Sequence, residues 1–240
     1  MEVEMGMWRN RGLLILVLVF LWGVPVRAAD DNPFADLISG TKVYFSHIAA
    51  GVDGWETEIA IFNPTPTPVS GTLISYNATG RPVGDAVPVS LAAHGRYEAE
   101  VSKSFTGAAE IAYMVFSADV FGLQGYSKFY RNGIRASIMA SGPRTTGLFA
   151  KIDPAGWTGI AFINTAAAAT AHITLTAYDN GGNEIAVASK ELLSGAKAVD
   201  VAGSLFSQSI DAATYISFTS DCGVVGFFLN GSYDDTQLDG

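Results

Sequence analysis

Short runs of apolar or alternating residues, separated by turn residues, make up most of the chain beyond residue 41. In the run that ends at Phe62, Glu56 and Glu58 fall on one side of an extended strand, while Thr57 and Ile59 fall on the other. Turn signals recur every ~8–12 residues, a spacing typical of antiparallel sandwiches. No sustained helical period follows the first 28 residues. The pattern therefore predicts an all-β protein.

One segment of this pattern occurs twice. Residues 54–63 and residues 156–164 each begin with Gly-Trp, continue as an apolar run rich in β-branched and aromatic residues, and end in Asn. This comparison matches Trp157 with Trp55 and Asn164 with Asn63. We therefore expect two tandem antiparallel β-sandwich domains of about seven strands each, after an N-terminal signal peptide.

Turn residues and the duplication set the predicted boundaries along the chain. A Ser-Gly-Pro turn signal and three arginines mark the segment between the two copies. The predicted organisation is a signal peptide at 1–28, a flexible lead-in at 29–41, β-sandwich module one at 42–130, a linker at 131–146 with a short strand near Ile134 to Met139, β-sandwich module two at 147–232, and a tail at 233–240.

The N-terminus has the pattern of a secretory signal. Arg9 and Arg11 precede an almost wholly apolar run from Gly12 to Val24, and small residues at Val26 and Ala28 predict cleavage after Ala28. The run is shorter than the roughly 20 residues that a helix needs to cross a bilayer. We therefore expect an exported protein, periplasmic or extracellular, with no stable membrane anchor after cleavage. An uncleaved anchor is the alternative.

Composition narrows the class of partner. Hydrophobic residues make up 49% of the chain and charged residues 15%, which is enough apolar material for a folded core. The formal charge of −9 argues against binding to nucleic acids or anionic membranes. The single cysteine, Cys222, has no intramolecular disulfide partner. We expect a buried thiol there, with an intermolecular disulfide as the alternative.

The two tryptophans of the duplicated segment, Trp55 and Trp157, are the candidate binding residues. An indole offers a large apolar face with a polar edge, which suits a sugar ring. The other interpretation is a structural plug at the end of each sandwich. Because both copies contain the residue, packing is the interpretation we favour.

Polar residues at the predicted strand ends are interpreted as turn residues. Asn63 and Asn164 are expected to hydrogen-bond the turn backbone, and Asp119 and Asp221 to occupy matching turns. The stretch from Asp179 to Glu184 carries oxygen ligands but lacks a twelve-residue calcium loop, so a plain hairpin turn is expected. No metal and no cofactor are predicted.

No catalytic residue is predicted. The histidines at positions 47, 94 and 172 are dispersed, and no zinc-protease or nucleophile-elbow motif occurs. Nothing in the sequence singles out a pair of carboxylates for glycoside hydrolysis. A non-catalytic protein is therefore expected, and a hydrolase with a cleft between the two modules is the weaker alternative.

Two runs, Ile111 to Phe116 and Val224 to Leu229, are apolar on both faces of the strand they predict. A strand of this kind is either central and covered on both sides, or offers one face to a partner. The sequence leaves both options open and does not predict an oligomeric state.

The two Gly-Trp segments and the Asp-Asn-Gly-Gly-Asn turn after Tyr178 carry a resemblance. Over residues 42–232 the chain resembles immunoglobulin-like or fibronectin-like β-sandwich repeats of exported bacterial proteins. The resemblance implies a spacer, an adhesion unit or a sugar-binding module. We therefore expect a structural, adhesion or protein-interaction role on a protein or polysaccharide surface. A pair of carbohydrate-binding modules using Trp55 and Trp157 is the alternative.

Overall fold

The computed structural model describes residues 41–234 and 236–239. The predicted signal peptide and nearly all of the predicted lead-in lie outside these residues. The strands are β1 (Lys42–Phe45), β2 (Glu56–Phe62), β3 (Val69–Tyr76), β4 (Val87–Leu91), β5 (Arg96–Glu100), β6 (Tyr113–Ala118), β7 (Gln124–Arg131), β8 (Ile134–Met139), β9 (Arg144–Phe149), β10 (Trp157–Asn164), β11 (Ala171–Tyr178), β12 (Glu184–Leu192), β13 (Lys197–Val201), β14 (Tyr215–Gly231) and β15 (Leu238–Asp239).

Helical structure in the described residues is limited to single turns. A short helix, α1 (Val101–Ser104), follows β5, and two 3₁₀ turns occupy Ala108–Glu110 and Ala202–Leu205. A search of the described part of the chain for helices long and apolar enough to cross a membrane found none.

Strands β1 to β8 form two antiparallel four-stranded sheets, which we call the first repeat. One sheet has the order β1-β6-β3-β4 and the other the order β5-β2-β7-β8. Large apolar side chains from both sheets, including Phe45, Ile61 and Phe116, are buried together between them. The alternation seen in the sequence of β2 therefore directs Ile59 and Ile61 into this core.

Strands β9 to β15 repeat the same pairing scheme, and we call them the second repeat. The long strand β14 pairs with β9 and β11 through its first half and with β10 and β15 through its second half. Its two halves thus take the places of β6 and β7. A second core, which includes Phe149, Phe162 and Phe218, lies between the two groups of strands.

The prediction of an all-β fold with antiparallel, sandwich-like sheets is confirmed. The hairpin predicted around Asp179 joins β11 to β12, as expected. The segment 131–146 was predicted as a linker with a short strand near Ile134 to Met139. That strand is present as β8, but it completes a sheet by pairing with β7, and the segment also carries the start of β9. All the described residues belong to one compact unit, and division into two domains stays a prediction.

The two repeats pack directly on each other. Two apolar clusters fill their contact. One joins Phe129, Ala136 and Ile138 of the first repeat to Ala161, Phe227 and Leu229 of the second, and the other joins Tyr44, Tyr113 and Val115 to Ile163 and Val225. The strongly apolar runs in β6 and β14 are therefore central strands covered on both faces, which confirms the first of the two options that the sequence left open.

Candidate functional site

The strand registers show which positions of the two repeats correspond. In the first repeat Glu58 pairs with Glu100 on one side and Lys128 on the other, and in the second repeat Gly159 pairs with Val201 and Leu229. In all three strands, the residue number in the second repeat exceeds that of the corresponding residue in the first repeat by the same amount. Positions in the two repeats can therefore be compared one by one.

This register corrects the pairing of the two tryptophans. It matches Trp157 with Glu56, and it matches Gly156, not Trp157, with Trp55. The sequence comparison failed because the second Gly-Trp stands one residue further into its strand. The tryptophans are consequently not equivalent, and duplication no longer favours a structural role for both.

Trp55 lies in the turn before β2 and is half-buried. The guanidinium carbon of Arg131 lies 4.7 Å from the centre of the Trp55 ring, and the Phe129 ring centre is 6.2 Å away. Cation–π contact and apolar packing therefore already occupy much of this indole. Its surroundings fit the structural interpretation.

Trp157 begins β10 and is also half-buried, but its surroundings differ. Its indole lies over Gly159 and Gly231, since a Cβ atom on Gly231 would overlap the ring and one on Gly159 would lie 3.3 Å from it. A cavity of about 280 Å³ lies beside the indole, and Asp211 and Tyr233 are among its lining residues.

In the first repeat, one face of the β5-β2-β7 sheet is accessible to solvent, with half-buried and exposed side chains, and is rich in charged and aromatic residues. We call it the open face. It is formed by Glu56, Glu58, Phe62, Arg96, Glu98, Glu100, Tyr126, Lys128 and Tyr130.

A network of hydrogen bonds orders the centre of the open face. Tyr126 donates its hydroxyl proton to Glu58 at 2.8 Å, while Lys128 donates to the other oxygen of the same carboxylate at 2.6 Å. Arg96 donates to the Tyr126 oxygen at 2.8 Å, pairs with Glu98, and lies 5.3 Å from the centre of the Phe62 ring. The side chains are thus held in place on a rigid sheet.

The charge state of Glu58 is set by this network. Partial burial raises the pKa of Glu58, but hydrogen bonds from Lys128 and Tyr126 and the charges of Lys128 and Arg96 outweigh it, so that the pKa lies below its ordinary value. Glu58 therefore remains a carboxylate acceptor.

The matching face of the second repeat is apolar and largely covered. Ile163, Val225, Phe227 and Leu229 are all buried against the first repeat. Lys197, which matches Arg96, donates to the Ala112 carbonyl oxygen of the first repeat at 2.8 Å. This sheet face therefore serves as a contact surface in the second repeat.

Lys197 also meets His47 in the contact between the repeats. The Lys197 Nζ and His47 Nδ1 atoms are 3.2 Å apart, and Lys197 is 9% exposed. Burial lowers the pKa of Lys197 to about 7, and burial together with the lysine charge lowers the pKa of His47 to about 3. His47 is therefore neutral, and Lys197 loses its proton far more readily than an exposed lysine does, so that the pair is joined by a hydrogen bond without two positive charges.

Asn63 and Asn164 occupy the positions predicted for them. The Asn63 side-chain amide donates to the carbonyl oxygens of Thr67 and Ala92, at 2.7 and 2.8 Å. Asn164 donates in the same way to the carbonyl oxygens of Ala169 and Leu192, at 2.8 Å each. The prediction that both residues bond turn backbone is confirmed.

The remaining polar candidates are structural or solvent-facing. Asp179 Oδ1 accepts backbone N–H groups of the hairpin turn at 2.8 and 2.9 Å. Asp119 follows β6 in an exposed position, whereas Asp221 lies within β14 and accepts the His172 backbone N–H. The expectation of matching turns was wrong for Asp221, because β14 continues where β6 ends.

Cys222 is half-buried in β14, and burial raises the pKa of its thiol.

Among the described residues, no group of three or more His, Cys, Asp or Glu side chains is placed to hold a metal ion. Comparison with protein-family models, with curated proteins and with solved structures found no match.

Arg96, Tyr126 and Lys197 were not singled out from the sequence. The signal available was that Tyr126, Lys128 and Tyr130 occupy every second position of β7, opposite the glutamates of β2. It became informative once the register placed both strands side by side.

Proposed function

We propose that this chain is a non-catalytic, exported binding protein that holds a partner protein on the open face. The observation that carries the proposal is the matched position of Arg96 and Lys197. Lys197 donates to a carbonyl oxygen of a packed neighbour, and at the same place on the open face Arg96 is exposed and pairs, among the described residues, only with side chains of its own sheet. As part of the same proposal, the chain is an immunoglobulin-like repeat protein with a role in adhesion.

The chemistry of the open face favours a non-obligate protein contact. Tyr126, Tyr130 and Arg96 belong to the residue types enriched at binding hot spots. Four glutamates outnumber the cations Arg96 and Lys128 on this face. The partner is therefore expected to present a basic surface, and its binding should weaken as salt rises.

A further copy of the same repeat does not fit the open face as the first repeat fits the second. In the inter-repeat contact, Gly80 approaches Gly195 so closely that a Cβ on Gly80 would lie 2.6 Å from the Gly195 backbone. In the first repeat His94 takes the corresponding left-handed turn position, with φ of 56° against 69° for Gly195. A side chain at this position would block the close backbone approach, which favours a different protein over another copy.

Site-specific photo-cross-linking in the producing cells tests the proposal. A benzophenone amino acid at Phe62, on the open face, should yield a discrete cross-linked protein that mass spectrometry identifies. The same amino acid at Val187, an exposed position on β12, is the matched control. Adding Tyr126→Ala should abolish the Phe62 adduct, because it removes a central contact.

Equal adducts from both positions, or none at Phe62, would contradict a specific partner. The same samples report on export. Cleavage after Ala28 predicts that the cross-linked chain begins at Ala29, and a chain that retains its first residues would contradict the signal peptide.

A further inference from the structure

We propose that the cavity beside Trp157 binds a neutral sugar ring of a glycan or polysaccharide. We call it the Trp157 pocket, and it is lined by Asp153, Trp157, Val201, Asp211 and Tyr233 among others. The proposal concerns a site separate from the open face, and neither depends on the other.

The indole of Trp157 is positioned as a platform. Atoms on opposite edges of the ring lie over Gly159 in β10 and Gly231 in β14, so the ring spans two neighbouring strands. A side chain at either glycine would meet the ring. The matched positions in the first repeat are Glu58 and Tyr130, whose side chains would occupy the space that the indole fills in the second repeat. The platform is thus built only into the second repeat.

The pocket combines aromatic surface with hydrogen-bond acceptors. Tyr233 is 79% exposed and Val201 is 53% exposed, so apolar surface remains open to solvent next to the indole. Asp153 is held by its own loop: its backbone N–H donates to Thr158 Oγ1 at 2.8 Å, and its Oδ1 accepts the Ala155 N–H at 2.9 Å. The cavity of about 280 Å³ also includes Asp211 in its wall.

This combination matches the two sides of a pyranose ring. The C–H face of a sugar is apolar and packs on an indole, while its hydroxyl groups donate to carboxylate oxygens. Two carboxylates disfavour phosphorylated or acidic ligands by charge repulsion. A neutral sugar satisfies the aromatic surface and the acceptors together.

Binding of soluble oligosaccharides to the full chain tests the proposal. The probes are glucose-, xylose-, mannose-, galactose- and N-acetylglucosamine-based oligosaccharides, measured by isothermal titration. At least one should bind. Trp157→Ala should weaken that sugar's affinity by roughly tenfold or more, because it removes the apolar platform. Trp55→Phe, at the tryptophan of the first Gly-Trp segment, should leave the affinity unchanged.

A second variant separates binding from folding. Trp157 also packs against the inter-repeat cluster, so Trp157→Ala can lower stability. Asp211 is exposed, and Asp211→Asn should weaken the same sugar while leaving the melting temperature unchanged. The proposal is overturned if no oligosaccharide binds, or if neither variant changes the affinity for the sugar that binds. It is also overturned if choline, a quaternary ammonium cation that aromatic rings bind, competes for the pocket as strongly as the sugar does.

Discussion

At the scale of single residues, Lys197 is a buried and hydrogen-bonded side chain in the contact between the repeats. Its amine is buried, donates to the Ala112 carbonyl oxygen, and lies 5.4 Å from the centre of the Phe227 ring. A buried ammonium is costly unless it is neutralised or well paired. The neutral histidine beside it supplies an acceptor and no charge. Protonation of either group therefore disfavours the folded state.

The stability of the protein should consequently rise with pH between about 7 and 10.5 through Lys197. In this window the unfolded chain binds the lysine proton and the folded chain does not, so the free energy of unfolding increases with pH. The expected rise is on the order of a few kcal/mol. Urea denaturation at a series of pH values measures it. For His47, the same reasoning predicts a loss of stability as pH falls from 6.5 towards 3.

Lys197→Met should remove the alkaline rise, because it keeps the length and apolar stem of the side chain without the amine. The Ala112 carbonyl oxygen retains a hydrogen bond from the Ile48 N–H. Lys190→Met is the matched control, since Lys190 pairs with Asp200 and is more exposed than Lys197. A rise that persists unchanged in Lys197→Met would contradict this assignment.

At the scale of elements, each repeat anchors the end of its central strand with a buried asparagine. Asn63 follows β2 and Asn164 ends β10, and their exposures are 1% and 0%. Each buried amide donates to two backbone segments at once and so ties them together. The sandwich edge in both repeats therefore depends on one side chain.

Replacing either asparagine by alanine should cost about 1–3 kcal/mol of unfolding free energy, because each change removes two hydrogen bonds between a buried side chain and the turn backbone. The two substitutions should have similar effects, since the two sets of hydrogen bonds match. Chemical denaturation of Asn63→Ala and Asn164→Ala measures both, with the exposed turn variant Asn180→Ala as the control. A cost no larger than that of Asn180→Ala would show that the amides do not anchor the strands.

The strands and their turns follow from the sequence because alternation and turn residues are local signals. The buried asparagines were predictable for the same reason. The correspondence of Trp55 and Trp157 was not, because a one-residue shift relative to the strand leaves the Gly-Trp motif intact but changes the face of the sheet. The short strand near Ile134 to Met139 was predicted and is β8, because its residues alternate in polarity, but its membership of the first repeat was not, because pairing with β7 is not a local signal.

At the scale of the whole molecule, the two repeats use one sheet face in opposite ways. Phe227 and Leu229 are buried against the first repeat, and the matched Tyr126 and Lys128 lie on the open face. The sequence does not separate these roles, because residues that fill the inter-repeat contact resemble ordinary core residues. Tyr113, for example, belongs to an apolar strand that looks like core in the sequence, yet its hydroxyl donates to the Gly195 carbonyl oxygen of the other repeat at 2.7 Å.

Hydroxyl-radical footprinting of the purified full chain, read by mass spectrometry at single tyrosines, tests this asymmetry most directly. Each oxidation rate is normalised to the rate in the urea-unfolded chain. We predict that Tyr126 and Tyr130 are oxidised several-fold faster than Tyr44 and Tyr113, which are 7% and 3% exposed in the contact between the repeats. Equal rates at all four tyrosines, or protection of Tyr126, would contradict the account.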